Sequence, residues 1–250
     1  MTAGEAVWLV VAGVGGGLCG SIAGLASLVS YPALLAFGLP PVTANVTNTV
    51  ALVFSSTGSV WGSFPELRGQ RSRVSQLAVA GMIGGAVGAL LLLITPAESF
   101  EKFVPVLIAI ASVAILVRRR LIHEHGAASR RVGPRTVGAV GIVGVYAGYF
   151  GAGAGVMLLA LLLLSTGDTV PRANAVKNVL LGLANGVAAV GFVVFGPVRW
   201  AVVAPLGLGL LIGGRLGPTI VRRVPGGALR IAIAIAGLGL ATTWAFDASS

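Results

Sequence analysis

Eight apolar stretches occupy most of the chain, and their lengths constrain its fold more than any other feature of the sequence. A transmembrane helix needs about 20 consecutive apolar residues, and six of the eight stretches have the length of a single pass. Only 10% of the 250 residues are charged, against roughly 25% in soluble domains. The sequence therefore predicts an all-α polytopic membrane protein, multi-pass in the cell (cytoplasmic) membrane, with apolar stretches at residues 6–37, 42–64, 74–95, 103–117, 136–166, 173–195, 201–221 and 228–246.

The first and the fifth stretch are too long for one crossing and too short for two. As a continuous helix each would measure about 50 Å, whereas the hydrocarbon core of a bilayer is about 30 Å thick. Glycines cluster around Gly24 in the first stretch and around Gly153 in the fifth. Clustered glycines let the backbone leave the helical conformation. We therefore expect each to be a re-entrant pair of half-helices. A single long, tilted helix with glycines for close packing is the alternative.

The two halves of the chain are related in sequence. A shift of 129 residues places Gly24 on Gly153 and Asn45 on Asn174, and it superposes the Ile-Gly-Gly-x-x-Gly patterns that begin at Ile83 and Ile212. These matches at one offset indicate an internal duplication. The chain then divides into a first transmembrane repeat (1–117), a basic cytoplasmic connector (118–135) and a second transmembrane repeat (136–250).

The distribution of basic residues bears on how the two repeats are oriented. Cytoplasmic segments of membrane proteins collect Lys and Arg. If the chain formed eight continuous helices, 10 Lys and Arg residues would lie on the cytoplasmic side and 6 on the outer side. If both long stretches are re-entrant, the numbers become 14 and 2. The sequence thus favours two inverted repeats, each a Gly-broken re-entrant or long helix followed by three transmembrane helices. Arg215 belongs to neither side, and we expect it to snorkel to the interface.

Polar residues within the apolar stretches predict a site for an anion. All five asparagines lie in the second and sixth stretches, whereas all seven acidic residues fall in loops or at termini. Intramembrane polar groups usually face the protein interior, and the N-termini of half-helices attract anions. The candidate substrate-binding residues are Ser21, Gly24, Asn45, Asn48, Thr49, Gly153, Asn174, Lys177 and Asn178. Alternatively, these amides cap helix ends or hold helices together.

Other classes of protein find little support in the sequence. His123 and His125 lie in the basic connector, and no catalytic triad, HExxH helix or P-loop is present, so we expect no enzyme, catalytic residue, metal site or cofactor. Cys19 is the single cysteine, which excludes an intramolecular disulfide. The net charge of +10 comes from arginines in loops between apolar stretches, so we expect a lipid bilayer and no nucleic acid as partner.

Several motifs resemble those of a known family. The first stretch leads through Pro32 to Gly-Leu-Pro-Pro-x-x-Ala-x-x-Thr at 38–47, and the second repeat carries Gly-Tyr-Phe-Gly-Ala-Gly-Ala-Gly at 148–155. Together with the Gly-Gly-x-x-Gly of each half, these motifs resemble the TauE/SafE sulfite exporter family. The run from Gly24 to Ser30 has fewer glycines than this resemblance implies, which predicts a less sharp first break.

The resemblance implies a multi-pass permease of small sulfur-containing or organic anions, with the residues after each glycine break on the translocation route. We accordingly expect a secondary transporter that exports sulfite or an organosulfonate by alternating access. A homodimer is among the expected assemblies. An importer of another small anion, and a membrane-embedded accessory protein without transport activity, are the alternatives.

Overall fold

A computed structural model describes residues 1–104, 106–107 and 132–223, and the regular structure in this part of the chain is entirely helical. Most of the fourth apolar stretch (103–117), most of the connector, which includes His123 and His125, and the whole eighth apolar stretch lie outside the described residues. A sixth helix (α6) begins at residue 97 and is described as far as residue 107, except for residue 105. The other helices are α1 (Ala3–Ala23), α2 (Ala26–Ala36), α3 (Pro41–Gly62), α4 (Phe64–Leu67), α5 (Arg71–Ile94), α7 (Pro134–Tyr149), α8 (Ala154–Thr166), α9 (Val170–Phe195) and α10 (Trp200–Arg223).

Both long apolar stretches are broken into two helices where the glycines predict it. Gly24 follows α1 with φ 80°, in the left-handed region that favours glycine, and Gly153 precedes α8 with φ 75°. Helices α1, α5, α9 and α10 are long and apolar enough to cross a membrane. At 11 and 13 residues, α2 and α8 can each cross only about half to two thirds of the hydrocarbon core.

The helix boundaries repeat with the offset found in the sequence. Helix α5 at 71–94 corresponds to α10 at 200–223 residue for residue, and α3 and α9 begin at equivalent positions, 41 and 170. Gly38 and Gly167, which are also equivalent, both have positive φ. The residue limits of the two repeats stay a prediction, because the connector and the end of the second repeat are outside the described residues.

The described helices pack as two bundles. Each bundle contains three helices of one repeat and one helix of the other repeat. The first bundle contains α1, α2, α3 and α10, and the second contains α5, α7, α8 and α9. Glycines bring the backbones together in both: a Cβ on Gly213 of α10 would overlap the Val14 carbonyl oxygen of α1, and one on Gly84 of α5 would lie 2.8 Å from the Val145 nitrogen of α7. Small residues let membrane helices approach closely enough for extensive van der Waals contact.

One pair of equivalent helices, α3 and α9, can be compared directly because the two helices are in contact. The backbone nitrogen of Arg199, which follows α9, donates to the Thr47 hydroxyl near the start of α3 at 3.1 Å. Gly182 of α9 lies against Ser56 in the second half of α3. Helices α3 and α9 are therefore antiparallel, as inverted repeats require. The orientation of the repeats across a membrane stays a prediction.

Charged side chains gather where α5 and α9 begin and where α10 ends. Arg73 and Arg172 form ion pairs with Asp168, and Arg222 pairs with Glu66 at 3.0 Å. We call this the basic end of the molecule. Arg215 lies apart from it on the exposed surface, with its guanidinium 3.5 Å from the centroid of the Trp61 ring. A stacked, exposed arginine fits the expectation that this residue snorkels.

Candidate functional site

A small cavity with both polar and apolar lining residues lies between the two bundles, where both helix breaks meet. The backbones of Gly24 and Gly155 are in contact there, and a Cβ on Gly24 would lie only 2.7 Å from the nitrogen of Val156. The cavity has a volume of about 40 Å³, which suits a few water molecules or one small ion. It is lined by Gly20, Gly24, Ala26, Ser27, Leu52, Ser55, Ser56, Ser59, Ala147, Gly151, Ala154, Gly155, Asn178, Leu181 and Asn185.

Two helices begin at the wall of this cavity, and neither N-terminus is capped by a side chain. Helix α2 starts at Ala26 after Leu25, and α8 starts at Ala154 after Gly153. Each N-terminus carries about half a positive charge from the helix dipole. In α8 the Ala154 and Val156 nitrogens already donate to the oxygens of Gly151 and Gly153, at 3.2 and 3.0 Å. The two N-termini together make the cavity attractive to an anion.

The side chains that line the cavity add neutral hydrogen-bond donors. Asn178 is 4% exposed, and its Nδ2 has no hydrogen-bond partner in the described part of the chain. Asn185, Ser55 and Ser59 are also buried. No lining residue carries a charged side chain. A buried amide without a partner costs about 1–3 kcal/mol, and either water or an oxyanion in the cavity would supply the acceptor that Asn178 Nδ2 lacks.

Three other predicted site residues bind backbone carbonyls instead of lining the cavity. Asn45 Nδ2 donates to the Tyr149 oxygen at the end of α7 at 2.8 Å, and Asn174 Nδ2 donates to the Ser21 oxygen in the last turn of α1, also at 2.8 Å. Lys177 is fully buried, and its Nζ lies 3.0 Å from the oxygen of Gly20. These contacts favour, for Asn45, Asn174 and Lys177, the capping role that the sequence left open.

The remaining predicted residues surround the cavity without all reaching it. Gly24 lines it, and Gly153 is the N-cap of α8. Asn48 Oδ1 accepts a 2.6 Å hydrogen bond from Ser30, and the Thr49 hydroxyl donates to the carbonyl of Asn45 within α3. Ser21 is buried, and its hydroxyl has no partner among the described residues. Substrate binding by these residues stays a prediction.

Sequence reasoning missed five polar residues of the cavity: Ser27, Ser55, Ser56, Ser59 and Asn185. Helical spacing carried a usable signal. Leu52, Ser55 and Ser59 follow Asn48 by 4, 7 and 11 residues, which places them on one face of α3. Asn185 follows Asn178 by 7 residues on α9. Extending each polar cluster along its helix face would have reached the cavity.

An anion-sized cavity between two bundles of apolar helices is typical of a membrane transporter. The chain belongs to the sulfite exporter TauE/SafE family, whose model matches residues 9–243. This confirms the resemblance found in the sequence. A protein of this family with several apolar helices is a multi-pass protein of the cell membrane, and its relatives are named as transporters, not enzymes.

Several curated relatives are similar over most of their length. A probable membrane transporter protein, ORF9, of Sinorhizobium sp is 31% identical over 217 residues, which cover 84% of this chain and 80% of the relative. The probable membrane transporter protein YfcA of Escherichia coli K12 is 29% identical, over 82% of this chain and 76% of the relative. A probable membrane transporter protein of Haemophilus influenzae is 27% identical, over 80% of this chain and 79% of the relative. No solved structure matches the chain.

Proposed function

We propose that this membrane transporter is a secondary transporter of small anions, which exports sulfite or an organosulfonate by alternating access. One observation carries the proposal: two uncapped helix N-termini and the unpartnered amide of Asn178 face the same cavity, which no charged side chain lines. Such a site offers N–H donors and positive dipole ends to an oxyanion. It offers no carboxylate to a cation.

Export is the direction that the membrane potential favours for an anion. A cell keeps its interior negative, so a monovalent anion that leaves gains about 2.3 kcal/mol per 100 mV. Export therefore needs no coupling ion, and no acidic side chain of the sequence lies within an apolar stretch to bind one. In the proposed orientation the connector and the basic end face the cytoplasm, since basic segments remain inside.

A ligand screen on the purified protein tests the substrate class. A ligand that binds the folded state stabilises it by RT ln(1 + [L]/Kd), about 2.7 kcal/mol at 100 times Kd. We expect sulfite or sulfoacetate to raise the melting midpoint, and we expect no change from chloride salts of different cations. Taurine, which joins a sulfonate to an ammonium group, tests whether a positive charge on the ligand is tolerated.

Flux measurements separate the proposal from its alternatives. Proteoliposomes loaded with labelled sulfite should lose it faster when the protein is present, and faster still when the external side is made positive. Flux that occurs only in the opposite sense would indicate an importer. Stabilisation by anions without any flux would indicate an accessory protein, and absence of both would reject an anion site.

A further inference from the structure

The hydrogen bonds of Asn45 and Asn174 are equivalent under the repeat, and both join the two bundles. Asn45 lies on α3 of the first bundle and binds the end of α7 in the second. Asn174 lies on α9 of the second bundle and binds the end of α1 in the first. Lys177, one turn after Asn174, binds the carbonyl of Gly20 beside it. Each broken helix is thus held at its C-terminus by an amide from the other bundle.

The two asparagines lie on opposite sides of the cavity along α3 and α9, and the carbonyls that they bind belong to residues next to the cavity wall. On α3, Asn45 precedes the first cavity residue, Leu52, by 7 residues, or about 10 Å along the helix. On α9, Asn174 precedes Asn178 by 4 residues, or about 6 Å. Because α3 and α9 are antiparallel, the Asn174 contact is on the side of the basic end and the Asn45 contact is on the far side.

Building on the proposed function, we propose that Asn45 and the pair of Asn174 and Lys177 are two latches that close the cavity toward opposite faces of the membrane. Glycines bring the backbones together inside each bundle, and between the bundles they do so where Gly24 meets Gly155 at the cavity, so we treat that contact as the pivot between two units. The latches are side-chain hydrogen bonds between bundles, and releasing one leaves the other in place. Both hydrogen-bonded contacts are formed in this structure.

The two latches differ in chemistry. Lys177 adds an ammonium group to the Asn174 latch, whereas its repeat equivalent, Asn48, accepts a hydrogen bond from Ser30 within the first bundle. A cation at the C-terminus of α1 interacts favourably with the negative end of that helix. The latch on the basic end has two polar side chains where the other has one, and losing Lys177 should favour opening toward that end.

Side-specific labelling of the cavity tests the latches. In a Cys19→Ser background, Ser55→Cys places a thiol on the cavity wall with little change in size. A membrane-impermeant thiol reagent is applied separately to each side of oriented vesicles. We expect Asn174→Ala to speed labelling from the basic end roughly fivefold, and Asn45→Ala to do so from the opposite side, as loss of one net hydrogen bond implies.

Helix caps that only stabilise the fold would not give this sidedness. Ser165→Ala, which removes a hydroxyl bonded within α8, serves as the control and should change neither rate. Should an alanine variant fail to fold, Lys177→Met and Asn45→Ser replace it with the same expected sides. Equal acceleration from both sides, or none, would overturn the latches. Labelling needs no substrate, so a failure to bind anions would leave this result intact and reject only the proposed function.

Discussion

Replacing Asn178 by Asp should abolish saturable anion binding and transport. The substitution changes almost no volume, but it places a carboxylate where the amide now faces the cavity. Two unit charges 4 Å apart repel by about 4 kcal/mol at the effective dielectric of a protein interior, which corresponds to roughly a thousandfold loss of affinity. Isotope-labelled sulfite flux and the anion-induced shift of the melting midpoint both measure this loss.

The neutral variant Asn178→Ala isolates the effect of charge at the same position. It removes one donor to an anion, worth about 1.5–3 kcal/mol, so we expect a loss of roughly tenfold to a hundredfold. Both variants must remain monodisperse and retain the melting midpoint of the unliganded protein within a few degrees. An Asn178→Asp variant that binds and moves sulfite like the wild type would place the anion site elsewhere.

Replacing Gly213 by Ala should destabilise the first bundle. A Cβ on this residue would overlap the Val14 carbonyl oxygen and lie 2.9 Å from the Leu18 nitrogen, and backbone atoms cannot yield as a flexible side chain can. Overpacking of this kind costs about 1–3 kcal/mol. For a chain of this length that lowers the melting midpoint by roughly 2–10 °C. Thermal unfolding of the purified protein, followed by its tryptophan fluorescence, provides the measurement.

Gly186→Ala is the matched control, because it makes the same change in a helix of the other bundle. A Cβ on Gly186 meets nothing within 4 Å. Alanine is favoured over glycine in a helix interior by about 1 kcal/mol, so this variant should be slightly more stable than the wild type. A Gly213→Ala variant as stable as Gly186→Ala would contradict the close backbone contact between α1 and α10.

The sequence was sufficient for the helical content, the two breaks and the repeat, because these depend on local features. Hydropathy determines where a helix can cross a membrane, and the left-handed backbone at Gly24 and Gly153 is one that glycine favours. The exchange of α10 into the first bundle was not predictable. Many glycines have spacing suitable for close packing, and only the tertiary structure shows that Gly213 meets Val14.

The site was predicted in part. Gly24 was identified as part of a glycine break and Asn178 as part of a polar cluster on the helix after the other break, and both line the cavity. The sequence does not reveal the direction in which a side chain points. Asn174 and Lys177 belong to the same polar cluster as Asn178, yet they turn toward the end of α1. Asn185 was passed over because it lies two turns further along α9.

The central claim is that an oxyanion binds between the N-termini of α2 and α8. Selenite resembles sulfite and scatters X-rays anomalously, so crystals soaked with it would locate the anion directly. We predict an anomalous difference peak within hydrogen-bonding distance of Asn178 Nδ2 and of the first N–H groups of α2 and α8. A peak confined to other parts of the molecule, with this cavity empty while selenite binds in solution, would contradict the account.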